Sequence, residues 1–277
     1  MNLPLDLDYP ILAIGDLHGQ TGFLDNLLVR LRRLPEWERC HLVFLGDLVD
    51  RGPDVKGTVE RVLELLEERP GSTAILGNHD LALVRAARLD GGPESSFWLS
   101  RYRSHYDHVP TFQSYLGRSP RPGNLDGWRA DLDELRAAVP ERHRRLLTAL
   151  QWATSAGKHV FLHNGLSPEL EASAEEQVEA MRQKRWDRGL RPVPRTRTDE
   201  LWQADYPVWI GADKSLSARP KPLRGRTLVS GHVQVERPEV SPVRIRIDTS
   251  GGEVEPLTAC LLTGPDEAPR FIFSNSP

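Results

Sequence analysis

Apolar and polar positions along the first third of the chain predict a βαβαβ unit. Continuous apolar runs at 11–14, 42–45 and 74–76 are short, as expected of strands covered on both faces. Between them, Phe23, Leu27, Leu31 and Leu34, then Val55, Val59, Val62, Leu63 and Leu66, recur at helical spacing. Strands are therefore expected at 11–15, 41–46 and 73–77, with helices near 22–34 and 54–69 packed on the sheet. From about 81 to 150 the pattern turns helical and polar, broken by Gly91-Gly92-Pro93, Ser119-Pro120 and Pro122-Gly123, and predicts a helical cap over one end of the sheet. Strand patterns return at 160–162, 227–229, 243–247, 257–262 and 271–273. No internal repeat or low-complexity linker divides the chain, which favours one α/β domain over 1–277 with an inserted helical cap at about 81–150.

Each of the first three apolar runs ends in a polar block bounded by glycine. These are Gly15-Asp16-Leu17-His18-Gly19, Gly46-Asp47-Leu48-Val49-Asp50-Arg51-Gly52 and Gly77-Asn78-His79-Asp80. Turns at the carboxyl ends of parallel strands lie side by side, so ligands carried on them can converge. Carboxylates, imidazoles and an amide gathered in this way have the composition of a two-metal hydrolytic site.

Composition narrows the function classes. With 39% hydrophobic and 27% charged residues in 277, the chain reads as a soluble globular protein and not as a membrane or disordered one. A formal net charge of -3 lacks the basic excess of a general nucleic-acid binder. The first ten residues carry Asp6 and Asp8, no basic region and no long apolar stretch, which predicts a cytoplasmic protein without a secretory signal. Two cysteines, Cys40 and Cys260, sit beside or within apolar runs and are expected to be buried free thiols.

In order and in spacing, the three blocks resemble the signature of the phosphoprotein phosphatase family of calcineurin-like metallophosphoesterases. Asp47 lies 31 residues after Asp16 and Asn78 another 31 later (47 minus 16, 78 minus 47), room for one strand-helix unit each time. Phe161-Leu162-His163-Asn164-Gly165-Leu166-Ser167-Pro168 and Ser230-Gly231-His232 extend the resemblance, and Ile247 to Gly252 followed by Leu257-Thr258-Ala259 is similar to the family's closing hairpin. The resemblance implies a metallophosphoesterase β-sandwich of two mixed sheets flanked by helices. Asp16 and His18 would serve one metal, Asn78, His163 and His232 the other, and Asp47 would bridge them, the ions being manganese by preference, with iron or zinc also suited to such donors. A hydroxide bridging the metals would attack phosphorus directly. His79, oriented by Asp50, would protonate the leaving oxygen, and Arg51 would grip the phosphoryl oxygens.

Some positions depart from the family's pattern. Asp80 stands where glutamate is commonest, Asn164 where glycine or alanine is usual, and the segment Leu201-Trp202 to Pro207 lacks the arginine that follows it in many bacterial members. Arg185, Arg188 or Lys214 would have to supply a second phosphate contact. The basic run from Arg182 to Arg197 reads first as a solvated loop, and second as a surface that steers an anionic substrate. Trp98, Tyr102 and Tyr106, at four-residue spacing, read as packing within the cap. His41, His105, His108, His143 and His159 fall in no block and read as structural or surface residues, while Asp248 reads as shaping the turn after its strand. The expected activity is a serine/threonine phosphatase, phosphotyrosine also being admitted, with a phosphorylated protein or peptide as substrate. The alternatives are a symmetrical diadenosine tetraphosphatase acting on a phosphorylated nucleotide, and a non-catalytic metal-binding scaffold.

Overall fold

The computed structural model describes residues 1–168, 170–184 and 221–275. Arg185, Arg188, Lys214, the Leu201 to Pro207 segment and most of the basic run lie outside the described residues. In chain order the elements are β1 (Ile11–Ile14), α1 (Thr21–Leu31), β2 (His41–Phe44), α2 (Val55–Glu68), β3 (Thr73–Ala74), α3 (Asn78–Ala86), α4 (Ser96–His105), α5 (Val109–Leu116), α6 (Leu125–Ala138), α7 (Glu141–Ala149), β4 (Thr154–Ala156), β5 (His159–Phe161), α8 (Ala174–Arg182), β6 (Thr227–Ser230), β7 (Glu239–Val240), β8 (Arg244–Arg246), β9 (Thr258–Leu262) and β10 (Arg270–Phe273).

These strands form two mixed five-stranded sheets, ordered β10-β9-β1-β2-β3 and β4-β5-β6-β8-β7. In the first, β1-β2-β3 are parallel out to the β3 edge and the antiparallel pairings lie on the β9-β10 side; in the second, a parallel centre β5-β6-β8 is flanked by antiparallel β4 and β7. Alternate residues divide between two apolar cores. Ile11, Ala13, Val43, Phe161, Val229, Ile245 and Cys260, drawn from both sheets, pack together, whereas Leu12, Ile14, Leu42, Phe44, Val160 and Leu228 join the helices. That division explains why β1 has no polar face to reveal its period: all four of its residues are buried. A side chain of this size stabilises the fold by roughly 1.5–3 kcal/mol when fully buried.

Helix α2 begins where the Asp54 carboxylate accepts the Gly57 N–H at 2.9 Å, and it buries Val55, Val59, Val62, Leu63 and Leu66, the stripe expected from spacing. Helix α8 lies in a stretch for which no element is expected. Its start carries the Ser173/Glu176 capping box, a signal present in the sequence.

Two expectations need correction. The register with β2 ends at Ala74, with Ile75 N–H still donating to Phe44 O at 2.8 Å; Leu76 N–H then turns to donate to the Gln151 carbonyl at 2.7 Å and the chain leaves the sheet for the third polar block. The closing hairpin is not one: β8 belongs to one sheet and β9 to the other, so the glycine-containing turn at 248–252 carries the chain between sheets. Strand β9 instead pairs antiparallel with β10 and β1. Among the described residues, no helix is long and apolar enough to cross a membrane. Cys40 and Cys260 are buried free thiols, and burial pushes Cys40 up to about 11.

Candidate metal centre

The loops that follow β1, β2, β3, β5, β6 and β8 meet on one side of the two sheets. Backbone bonds staple the first two together: His18 N–H donates to Asp47 O at 2.7 Å, Gly19 N–H to Leu48 O at 3.0 Å, and Gly52 N–H to His18 O at 2.8 Å. Glycine is required where the loops touch. A Cβ at Gly231 would lie 1.9 Å from Asp16 Oδ1, and one at Gly77 would lie 2.1 Å from Asp47 Oδ1. His18, Asp47, Asp50, Arg51 and His232 all have positive φ, between 44° and 70°. Such backbone is costly for residues bearing a Cβ and collects at functional sites.

Asp47 is the meeting point. One ligand atom each from His18, Asp47 and His79 lie within 4.8 Å of one another, and so do those of Asp47, His163 and His232. Asp47 Oδ2 is 3.3 Å from His18 Nε2 and 3.4 Å from His163 Nε2, and Oδ1 accepts the His79 N–H at 2.9 Å. His163 Nε2 lies 3.0 Å from Asn78 Oδ1 and 3.1 Å from His232 Nδ1. Asp16 belongs to neither triad, but its carboxylate lies against the His232 N–H at 3.0 and 3.3 Å, on the same side.

The donor set suits divalent cations on its own chemistry. His18 Nδ1 meets the Val49 carbonyl at 2.9 Å and His163 Nδ1 the Leu45 carbonyl at 2.8 Å, so each ring is held with Nε2 turned inward, as metal-ligating histidines are. Burial and the charges of Asp248 and Asp47 push the Asp16 carboxyl well above its ordinary range. Asp47 goes the other way: burial opposes ionisation, yet His163, His79 and His18 hold it well below the usual range. His163, despite its burial, is raised to about 10 by Asp47 and Asp16, while burial and the charge of His163 drive His232 down to about 3. A buried cluster that must protonate one imidazole to offset its carboxylates is short of positive charge, which two divalent ions would supply.

Beside the triads, His79 Nδ1 bonds Asp50 Oδ2 at 2.8 Å, leaving Nε2 as the ring's other polar atom. Burial holds the His79 imidazole below its usual value. Arg51 is half-buried and donates from Nη1 to Gly251 O at 2.6 Å, with Asp107 3.9 Å away. Asp248 accepts the Gly251 N–H at 2.8 Å, shaping its turn.

Several supports were not anticipated. Tyr102 O–H donates to Asp50 Oδ1 at 2.8 Å, Thr111 O–H reaches the same oxygen, and the Tyr106 ring meets His79 edge-on at 4.7 Å. The helical spacing of Trp98, Tyr102 and Tyr106 correctly signals packing, but no local pattern links them to Asp50 or His79. Buried Arg244 donates to Ser230 Oγ at 2.8 Å and Asn164 O at 3.0 Å, tying together the loops that carry His163 and His232. Of the histidines outside the blocks, His143 bonds Glu60 at 2.6 Å, His159 bonds Tyr9 at 2.6 Å, and His108 packs on Trp128. Arg182, from the basic run, pairs with Asp6 at 2.6 Å.

The family model of the calcineurin-like phosphoesterases matches residues 9–236. The chain belongs to that family. It is therefore a metallophosphoesterase, a hydrolase of a family that uses a dinuclear metal site. A symmetrical bis(5'-nucleosyl)-tetraphosphatase of Ralstonia nicotianae is 45% identical over 75 residues, which is 27% of this chain and 24% of that protein. The protein of the same name from Dechloromonas aromatica is 31% identical over 161 residues, 58% of this chain and 45% of that one. The matches thus span from about a quarter to under half the length of these curated relatives. Among solved structures, a protein provisionally named a diadenosine tetraphosphatase superposes with a TM-score of 0.55 at 18% identity, covering 99% of this chain and 98% of that one. A serine/threonine phosphatase from Saccharomyces cerevisiae gives 0.50 at 13% identity, over 98% and 83%. At such identities these two share the fold alone.

Proposed function

We propose that the chain cleaves the central phosphoric anhydride of a dinucleoside polyphosphate, as a symmetrical tetraphosphatase does. The observation that carries this reading is the 31% identity over 161 residues with a protein of that activity. It takes precedence over the serine/threonine phosphatase expected from the sequence, whose structural support is a likeness of fold. A cavity of about 560 Å³ agrees with it. Arg51, Tyr106, Asp107, His108, Val109, Pro110 and Glu253 line that cavity, and Tyr106 is the ring that meets His79. Rings and apolar side chains suit a nucleobase, the two carboxylates suit ribose hydroxyls, and the guanidinium suits a phosphate.

In this reading Asp16, His18, Asp47, Asn78, His163 and His232 hold two divalent cations, manganese being the first choice. When bound, such ions ionise water near neutral pH and offset charge on the phosphoryl oxygens. Arg51 orients the phosphoryl group with a two-pronged contact. His79 delivers a proton from Nε2 to the leaving oxygen, while Asp50 occupies Nδ1 and fixes the ring. Residues 81–150 act as a helical cap within a single domain, supplying the Tyr106 to Pro110 wall. The location is taken as cytoplasmic.

Product analysis tests the reading. Manganese-loaded protein given diadenosine tetraphosphate and a phosphothreonine peptide in parallel is expected to release ADP as the sole nucleotide product and to hydrolyse the peptide, a phosphomonoester, far more slowly. Turnover of the peptide alone would restore the phosphatase reading, and formation of ATP with AMP would rule out a symmetrical cut.

A further inference from the structure

Asp50 and Arg51 occupy consecutive left-handed backbone positions, with φ of 69° and 62°. Residues bearing a Cβ avoid this conformation unless neighbours hold it. Here the α4-α5 segment does so. Arg51 N–H donates to Asp107 O at 3.0 Å, and Asp50 N–H donates to Thr111 Oγ1 at 3.1 Å. The Thr111 hydroxyl then donates back to Asp50 Oδ1 at 2.5 Å, so one side chain clamps both the backbone and the carboxylate of the same residue. Tyr102 O–H reaches that oxygen at 2.8 Å, leaving Oδ2 for His79 Nδ1 at 2.8 Å. Asp50, Thr111 and Tyr102 are fully buried, and His79 nearly so. Burial and the Asp50 charge push the Tyr102 phenol well above its ordinary value, so it stays a donor.

We propose that Thr111 and Tyr102 are positioning residues for proton delivery: their hydroxyls fix Asp50 so that Oδ2 aims His79 at the leaving oxygen. The assignment rests on the role given to His79 and Asp50 above. Side chains 52 and 61 residues away in sequence would thereby set the efficiency of the acid without touching substrate. Carboxylates in the interior keep a fixed direction only when most of their lone pairs are engaged, and here both oxygens are.

The test uses two aryl phosphates. The p-nitrophenolate of p-nitrophenyl phosphate leaves with little need of a proton, whereas the phenolate of phenyl phosphate needs one. Thr111→Val keeps shape and removes both bonds, Tyr102→Phe removes one, and Thr111→Ser keeps the hydroxyl. With manganese-loaded protein, Thr111→Val is expected to lower kcat on phenyl phosphate roughly 10–100-fold. Its kcat on p-nitrophenyl phosphate should stay within about threefold of the parent, because the acid contributes little there. KM should be unchanged for both esters, Tyr102→Phe should show a smaller selective loss, and Thr111→Ser should restore most of the rate. Equal losses on both esters, no loss, or failure of serine to restore the rate would overturn the proposal. If Thr111→Val does not fold, Tyr102→Phe decides by the same selectivity. A parent enzyme in which His79→Gln costs no more on phenyl phosphate than on p-nitrophenyl phosphate would instead overturn the role of His79, and this inference with it.

Discussion

Replacing Gly231 with alanine separates the candidate centre from the fold. Gly231 lies between β6 and His232, and its φ is not in the left-handed region, so alanine meets no backbone penalty there. The added Cβ would sit 1.9 Å from Asp16 Oδ1 and 3.0 Å from its Cγ, with no other atom inside 3.5 Å. Reaching ordinary contact at 3.4 Å requires the Asp16 carboxylate to retreat by about 1.5 Å, breaking its bond to the His232 N–H. A misplacement of about 1 Å in a catalytic array costs on the order of 10²-fold. The predicted effect is therefore a fall in kcat/KM of at least about 10²-fold, roughly 2.7 kcal/mol of transition-state stabilisation. Overpacking should cost the fold about 1–3 kcal/mol. Steady-state kinetics with saturating manganese, paired with chemical denaturation, measures both quantities. A variant with parental kcat/KM and parental stability would show that Asp16 can yield without consequence, and would refute its placement in the array.

Other perturbations probe separate parts of the account. Asp47→Asn leaves a near-isosteric amide among four imidazoles and should abolish turnover, by about 10³-fold or more, while far-UV circular dichroism stays parental; retained activity would contradict its shared position. Removing metal with a chelator should abolish hydrolysis and lower Tm, since an ion at 100-fold over its Kd contributes about 2.7 kcal/mol to the folded state. Arg51→Lys should raise KM and lower kcat together, because a point charge cannot reproduce the planar fork and also loses the Gly251 contact. His159 offers a pH test away from the centre: burial lowers its pKa to about 4 from 6.5. The unfolded chain then binds a proton that the folded chain refuses between those values, so stability is full above about pH 6.5 and falls as pH drops toward 4. Denaturation of His159→Phe should show a flatter acid limb across that window, and an unchanged slope would dispose of the assignment.

The elements and residues legible in the sequence were those with a local signature. Strands β1 and β2 and helices α1 and α2 announce themselves because apolar runs and helical stripes are read within a dozen residues. The polar blocks are legible because each is short, glycine-bounded and follows a strand, and Asp47, His18, Asn78, His163, Asp16 and His232 do come together. Contacts set by tertiary packing were not legible. Thr111 carries no motif, and its tie to Asp50 spans 61 residues. Tyr102 looks like any core aromatic until its hydroxyl is seen to face a carboxylate. The turn at 248–252 has the glycines of a hairpin, yet adjacent strands enter different sheets, a choice governed by how the two sheets stack and not by turn chemistry. Strands β4 and β7, of three and two residues, are too short to show a period.

Anomalous diffraction from manganese-loaded crystals tests the dinuclear centre most directly. Two peaks roughly 3.5–4 Å apart, on either side of the Asp47 carboxylate and each within bonding distance of an imidazole from His18 or His163, are predicted. A single peak, or none in excess manganese with Asp16 and His232 turned apart, would contradict the account.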